Sequence, residues 1–504
     1  MQHVNNFYLL VRYRPSGFII DKQGFFTYHP FLEVDLYDLH IIQGEYMPRL
    51  LLINASNIHK GLGNIQATAW PPLSLPYLAA VTPPHYQIEV LDENIEPFEY
   101  READIVGITA FTASVYRAYQ IAQIYRKRGV TTVMGGIHVS MMPEEALQFC
   151  DAIVIGEAET VWPKVLEDFE AGRLQKKYEG SWATLENLPI PRRDVLRNPF
   201  YKWGSMQTSR GCPMNCSFCS VTAFNGRRFR RRPLDPVIEE LKQIPQKRVM
   251  LADDNIIGHG KQDLEWTRAF FSRILAEGIK KVFFAQASIL FGEDRELVRL
   301  ASRAGLKLVF IGLESVNPKT LKSYQKSLNL ERLRHDRYKE LITTIRKEGV
   351  ALYGAFMLGG DEDDISVFHP TLQFIKSAHV DVLQTTKPTP LPGTKLWYDL
   401  LEKKRITDQN FPEAWENYRL TKMVFKPARM TIEEVYEGFT WLRKKYYSFW
   451  ETVKRTLSTL FTTKSLTATI IAYKVNASYR KAFWNSEHYR IYRRRDDKFT
   501  PRFS

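Results

Sequence analysis

The sequence predicts an α/β protein. A Rossmann-like, doubly wound domain comes first, then a partial (β/α)6 TIM-like barrel, then a helical C-terminal region. Three observations predict this. From Arg49 to about residue 165, short apolar runs alternate with helical patterns. From Phe200 a second series of such runs begins, long enough for six strand–helix units. At the end of its first run stand Cys212, Cys216 and Cys219, three of the chain's four cysteines within eight residues.

Residues 1–48 carry scattered aromatics (Tyr8, Tyr13, Phe18, Phe25) without a period, and read as an N-terminal extension. The doubly wound domain, residues 49–165, follows. Arg49–Asn54 is an apolar run ending in polar residues, the pattern of a strand buried on both faces of a parallel sheet. Pro71–Ala80 opens a helix, and another runs from Tyr116 to Arg128. Tyr86–Asp92, Asp104–Thr109, Thr131–Met134 and Ala152–Ile155 are the remaining strands. Ligands of such sheets bind beyond the carboxyl ends of the strands. The candidate contacts are therefore Ser56 to Gly63, Thr112 and Ser114, Gly135, Gly136 and His138, and Gly156 and Glu157. Cys150, at a helix-to-strand junction, reads as a small buried hydrophobe. Residues 166–199, with Pro189 and Pro191, read as a linker.

The barrel occupies residues 200–400. Ser205–Ser209 is its expected first strand, delivering the cysteine loop at its carboxyl end. Arg248–Ala252, Lys281–Ala287, Leu306–Gly312, Leu352–Met357 and Val380–Thr385 follow, with helices such as Pro236–Gln243 and Asp294–Ala304 between them. Chemistry in barrel-like folds belongs at the carboxyl ends of the strands. Polar residues stand there where an apolar core would not want them: Asp253, Asp254 and Asn255, then Gln286 and Ser288, then Gly312, Glu314 and Ser315. Residues 401–504 read as a helical, basic region. Ile432–Tyr447 has acids early and Arg443, Lys444 and Lys445 late, as the helix dipole favours.

The cysteine loop carries the chemistry. Its pattern is C-x3-C-x2-C, and closely spaced thiolates are what an iron–sulfur cluster demands. Three thiolates on a four-iron cubane leave one iron without a protein ligand, where a small molecule can chelate. A structural zinc site wants a fourth ligand, which would be Cys150 or a distant histidine. A disulfide framework does not suit four cysteines in 504 residues.

With Phe218 before the last cysteine, this loop resembles that of the radical S-adenosylmethionine (SAM) superfamily. The resemblance implies a 4Fe-4S cluster on Cys212, Cys216 and Cys219 whose free iron binds SAM. It also implies SAM contacts at Asp253, Asp254 and Asn255 for the amino group, and at Gln286, Ser288, Gly312, Glu314 and Ser315 for ribose and carboxylate. A helix-capping role for one of the acids is the alternative. The first domain resembles the cobalamin-binding domain that precedes many radical SAM cores, on Pro71-Pro-Leu-Ser-Leu, Gly135-Gly-Ile-His138, Pro143-Glu-Glu and Gly156-Glu-Ala-Glu159. The D-x-H-x-x-G signature of a cobalt-ligating histidine is absent; Asn57-Ile-His59-Lys-Gly61 is the nearest stretch. Together these imply a cobalamin-dependent radical SAM enzyme, a methyltransferase that moves a methyl group from SAM via methylcobalamin to an unactivated carbon. Ring closure or rearrangement is the alternative, and a non-catalytic metal-binding or membrane-associated protein is the reading of another class. An external electron donor of the flavodoxin or ferredoxin type is implied as well.

The chain's net charge is +14, and from Arg443 onward 15 Lys/Arg stand against 4 Asp/Glu. A solvated basic face is one reading; an anionic membrane surface or an acidic, lipid-like substrate is another. Nucleic acid is not expected. Five arginines crowd Arg227–Arg232, where one is expected to meet the SAM carboxylate or a cobalamin phosphate. The N-terminus has no basic region followed by an apolar run, and no apolar stretch reaches about 18 residues, so neither a signal peptide nor a transmembrane helix is expected. Few cysteines, gathered at a metal loop, suit a reducing cytoplasm.

Overall fold

A computed structural model describes residues 19–20, 26–27, 47–57, 70–182, 184–196, 199–334 and 337–492. The chain forms two units, Met1–Tyr46 and Met47–Ser504. In the first, the described residues form one short antiparallel pair, β1 (Ile19–Ile20) with β2 (Phe26–Thr27).

The second unit holds two six-stranded parallel sheets. The first sheet comprises β3 (Arg49–Asn54), β4 (Gln87–Asp92), β5 (Ile105–Thr109), β6 (Thr131–Gly135), β7 (Ala152–Ile155) and β8 (Lys177–Glu179). Their spatial order is β4-β3-β5-β6-β7-β8. The chain starts in the interior and winds both ways, so the crevice of a doubly wound sheet opens at the ends of β3 and β5. The unbroken apolar runs follow from this layering. Leu51 and Ile53 pack against Tyr119 and Ala122 of one helical layer, while Leu50 and Leu52 pack against Trp162 and Val165 of the other. The sixth strand, β8, falls in the stretch read as linker: Lys177–Glu179 pairs with Ile153–Ile155. Only Tyr178 of it is buried, so its sequence looks like polar connector.

The second sheet contains β9 (Gly204–Met206), β12 (Arg248–Leu251), β13 (Val282–Ala287), β14 (Leu306–Glu314), β15 (Ala351–Met357) and β16 (Val382–Thr386). β10 (Ser209–Arg210) and β11 (Arg230–Arg231) form a separate antiparallel pair. The order β9-β12-β13-β14-β15-β16 follows the chain, with β9 and β16 at the two edges, which is a barrel left open between them.

The C-terminal helices cover this barrel. Ala468 and Ala472 of the helix Leu466–Trp484 pack against Phe284, Leu308, Tyr353 and Val382. Small residues there let the helix approach the strands closely. Asp381, fully buried, ties the arrangement together. It pairs with Arg346, accepts from the backbone N–H of Leu352 at 2.8 Å and from Thr459 Oγ1 at 2.7 Å, and its carbonyl accepts from Asn476 Nδ2. Thr459 and Asn476 stand on the two helices Phe449–Thr463 and Leu466–Trp484, so one residue fixes both to the base of β15 and β16, the first through its carboxylate and the second through its carbonyl. Among the described residues no helix is long and apolar enough to cross a membrane.

Candidate active site

The antiparallel pair β10–β11 clasps the two ends of the segment that carries the cysteines, with Arg210 opposite Arg230. Gly211 has φ +86°, and a Cβ there would collide with the Arg228 carbonyl oxygen, so only glycine lets the chain pass. The loop is then pinned along its length. Ser217 donates through its N–H to the Tyr324 carbonyl and through Oγ to the Ser323 carbonyl, both at 3.1 Å. Its own carbonyl accepts from Leu396 N at 2.8 Å. Cys219 N donates to the Cys216 carbonyl, and Phe218 meets Tyr324 edge to face.

The thiols share one environment. Burial pushes Cys212 up, with Cys219 and Asp254 adding to it. Burial likewise pushes Cys216 up to about 11, against the charge of Lys326, with Cys219, Glu314 and Cys212 acting alongside burial. Lys326 is held 3.1 Å from Glu314, and that pairing outweighs burial and keeps the ammonium charged. Among the described residues no three His, Cys, Asp or Glu side chains sit close enough to share a single metal ion. A cluster distributes its thiolates over separate irons and does not need them to.

At the strand ends the two aspartates part company. Asp253 is fully buried and accepts from Thr208 N at 3.1 Å, from Thr208 Oγ1 at 2.7 Å and from Ser209 Oγ. Its oxygens are spent on stitching β9 to β12. Asn255 is spent as well, accepting from Ser288 N and donating to the Gly258 carbonyl. Asp254 accepts from Gly211 N at 3.1 Å and lines the cavity, and burial pushes its carboxyl up to about 6. Ser288 Oγ is buried with no hydrogen-bond partner in the protein. Gln286 Nε2 donates to the Asp253 carbonyl, and Ser315 Oγ accepts from Asn317 N. Glu314 adopts φ +65°, and the Gly312 carbonyl accepts from Asn329.

The carboxyl ends of the two sheets line one cavity of about 650 Å3. Gly135, Gly136 and Gly156 wall it on one side, and Arg210, Gly211 and Asp254 on the other. Gly136 and Gly156 have φ of +102° and +80°. Glu157 bridges the two sides, with Arg230 Nη1 at 2.9 Å and Arg210 Nη1 at 3.4 Å. His138, Thr112 and Ser114 are not in its lining. His138 is 1% exposed, 3.2 Å from Thr112 Oγ1, 3.3 Å from Glu145, and edge-on to Trp415. Burial holds that imidazole below its ordinary value, hence neutral. Ser114 Oγ turns back to the Phe111 backbone. His59 lies outside the described residues.

The model of the B12 binding domain matches residues 65–166, and that of the Radical SAM superfamily matches residues 206–375. A bacteriochlorophyllide d C-8(2)-methyltransferase of Chlorobaculum tepidum is 32% identical over 403 residues, 73% of this chain and 85% of that protein. The chain belongs to the radical SAM superfamily. A bacteriochlorophyllide d C-12(1)-methyltransferase of the same organism is 29% identical to this radical SAM enzyme over 402 residues, 76% of this chain and 84% of the relative. The solved structure of the cobalamin-dependent SAM radical enzyme OxsB, with aqua-cobalamin and SAM bound, superposes with a TM-score of 0.64 over 90% of this chain and 75% of its own. Its sequence is 15% identical, so that likeness is one of fold.

The cofactors of this radical SAM enzyme are therefore a 4Fe-4S cluster, SAM and cobalamin. The residues fit them. Three thiols on one pinned loop suit the cluster, the orphaned Ser288 hydroxyl beside Asp254's strand end suits a polar ligand, and glycine walls suit a flat macrocycle. One arginine of 227–232 was expected to meet a cofactor carboxylate or phosphate. Three of the five are engaged within the protein, Arg230 by Glu157, Arg231 by Asp263 and the Trp266 ring, and Arg232 by Glu240. Arg227 and Arg228 are exposed. Conversely, Lys326 gave no sign in the sequence: it sits in no motif, and only the fold brings it to the loop. Arg210 stands two residues before Cys212, but only the fold sets it against Glu157 and Glu159.

Proposed function

We propose that this radical SAM enzyme is a C-methyltransferase, moving a methyl group from SAM to an unactivated carbon of a small or lipid-like molecule. The single observation that supports it most is the shared cavity, in which the glycine-walled ends of one sheet face the cysteine-loop end of the other. In this reading Cys212, Cys216 and Cys219 hold the cluster, with Phe218 packed behind it. Asp254 meets the SAM ammonium, while Asp253 and Asn255 act one step back by fixing that strand end. Ser288, Gln286, Gly312, Glu314 and Ser315 line the ribose and carboxylate side. Gly135, Gly136 and Gly156 accept the corrin, Glu157 sets its distance from the barrel through Arg230 and Arg210, and Thr112, Ser114 and His138 stiffen the floor.

When bound, the cluster supplies the electron that cleaves SAM, and cobalamin supplies the methyl group. The protein's part is to hold these groups in register and keep water from the radical. Apolar walls at Trp70, Leu75, Ile108 and Phe224 serve that exclusion. A flavodoxin- or ferredoxin-type donor delivers the electron. The basic C-terminal region touches an anionic membrane from the cytoplasmic side, in keeping with its 15 Lys/Arg against 4 Asp/Glu from Arg443 onward.

The test is anaerobic turnover with methyl-deuterated SAM, hydroxocobalamin, a reductant and a lipid extract of the source organism. The expected result is 5′-deoxyadenosine together with a product carrying the label. SAM cleavage that yields an unlabelled, ring-closed product would replace methyl transfer by cyclisation. No cleavage at all would remove the enzyme reading.

A further inference from the structure

The helix Phe449–Thr463 turns its small polar residues inward, with Thr459 and Thr463 buried, and its large apolar ones outward. Trp450, Leu457 and Phe461 lie at spacings of seven and four residues, one face at 3.6 residues per turn, and Trp450 and Phe461 are 70% and 73% exposed. The next helix, Leu466–Trp484, repeats the inversion. Ala468, Ala472 and Asn476 face the barrel, while Leu466, Ile470 and Tyr473 face solvent. The two helices pack on each other and turn at Lys464, whose φ of +50° ends the first. Each of the two packed helices therefore turns three large apolar side chains to solvent along one face, where an ordinary surface scatters them singly.

Its charges are of one sign. Lys454, Lys464, Lys474, Arg480 and Lys481 are exposed, and none of them makes an ion pair among the described residues. Glu451, the only acid of the two helices, is already paired with Lys376 at 3.1 Å. Aromatic and aliphatic side chains among unpaired lysines match a surface that is apolar beneath and negative at its rim. A second copy of this chain fits less well, because a two-fold contact would set lysines against lysines with no acid to neutralise them.

We propose that this helical hairpin is the membrane-docking element, seating Trp450, Leu457, Phe461, Leu466, Ile470 and Tyr473 in the headgroup region of an anionic bilayer. The proposal rests on the peripheral-membrane part of the reading above and assigns it to a surface. The same helix meets lipid on one side and the barrel strands on the other, so the open barrel lies directly behind the docked face.

Flotation of the cofactor-loaded full chain with vesicles tests it, using phosphatidylglycerol mixed with phosphatidylcholine, and phosphatidylcholine alone. The wild type is expected to float with the anionic vesicles only, and less at high salt. Phe461→Ser with Leu466→Ser should weaken that binding about tenfold or more, since two exposed anchors are lost. Cobalamin content and SAM cleavage should be unchanged, which shows that the variant is folded. Undiminished binding by this variant overturns the hairpin assignment. If Arg490→Gln with Arg493→Gln then abolishes it, membrane contact stands but belongs to the tail. A wild type that ignores anionic vesicles overturns both. A wild-type dimer that becomes monomeric in the serine variant would make the hairpin a self-association face instead. None of these results bears on methyl transfer.

Discussion

Asp253 is sealed from solvent and accepts hydrogen bonds from Thr208 and Ser209, while its neighbour Asp254 accepts from Gly211 and lines the cavity. Asp253→Ala leaves those buried donors unmet and is expected to cost about 1–3 kcal/mol of stability in chemical denaturation. Asp254→Asn should change stability by less than about 0.5 kcal/mol yet weaken SAM binding about tenfold or more, as loss of a charge-assisted bond does. In the sequence the two acids are interchangeable. Neighbouring residues at a strand end point opposite ways, and which one faces the core depends on a register that the pattern does not reveal. Glu145 carries a pH dependence. Burial pushes its carboxyl up, but hydrogen bonds from His138, Trp415 and Tyr119 together hold it below its ordinary 4.5. A depressed native value means its contribution is complete above 4.5 and is lost as pH falls through the native value. Glu145→Gln should therefore be less stable than wild type at neutral pH by about 1–3 kcal/mol, with the gap closing in acid. Thermal unfolding across that range reads it.

The strands were legible because a parallel sheet with helices on both faces demands continuous apolar runs, and β3, β5 and β14 are such runs. β8 was not, because an edge strand with one buried side chain needs no apolar run. The C-terminal hairpin was legible as helix and illegible as packing. It buries alanine, threonine and asparagine and exposes tryptophan and phenylalanine, which inverts the rule that sequence reading relies on. What holds it is Asp381. Asp381→Ala would strand Arg346 as a buried unpaired charge and release Thr459 and the Leu352 N–H. We expect it to cost about 3–5 kcal/mol and to loosen the helix Phe449–Thr463 first, since the carbonyl that holds Asn476 remains. Faster hydrogen exchange in Phe449–Thr463 than in β13 and β14 would show this. Uniform loss across the barrel would not.

At the scale of the whole molecule, function depends on two sheets turning their carboxyl ends to one cavity. The sequence carried each sheet and its ligand-bearing ends, but not the ion pairs that span them, because Glu157, Arg210 and Arg230 are set together only by the fold. Arg230→Ala leaves Glu157 half-compensated and should raise the cobalamin dissociation constant about tenfold without loss of iron.

The central claim is that one chain holds a cluster on the loop of one sheet and a corrinoid against the glycines of the other. Gly135 offers a clean way to fill the second site, since it has an ordinary φ and a Cβ there would meet Val154 at 3.7 Å, an unstrained contact. The decisive measurement is the iron and cobalt content of anaerobically reconstituted wild type, Cys212→Ala and Gly135→Leu. The account predicts both metals in the wild type, cobalt without a full cluster in Cys212→Ala, and iron without cobalt in Gly135→Leu. A full cluster in Cys212→Ala, or undiminished cobalt in Gly135→Leu, would contradict it.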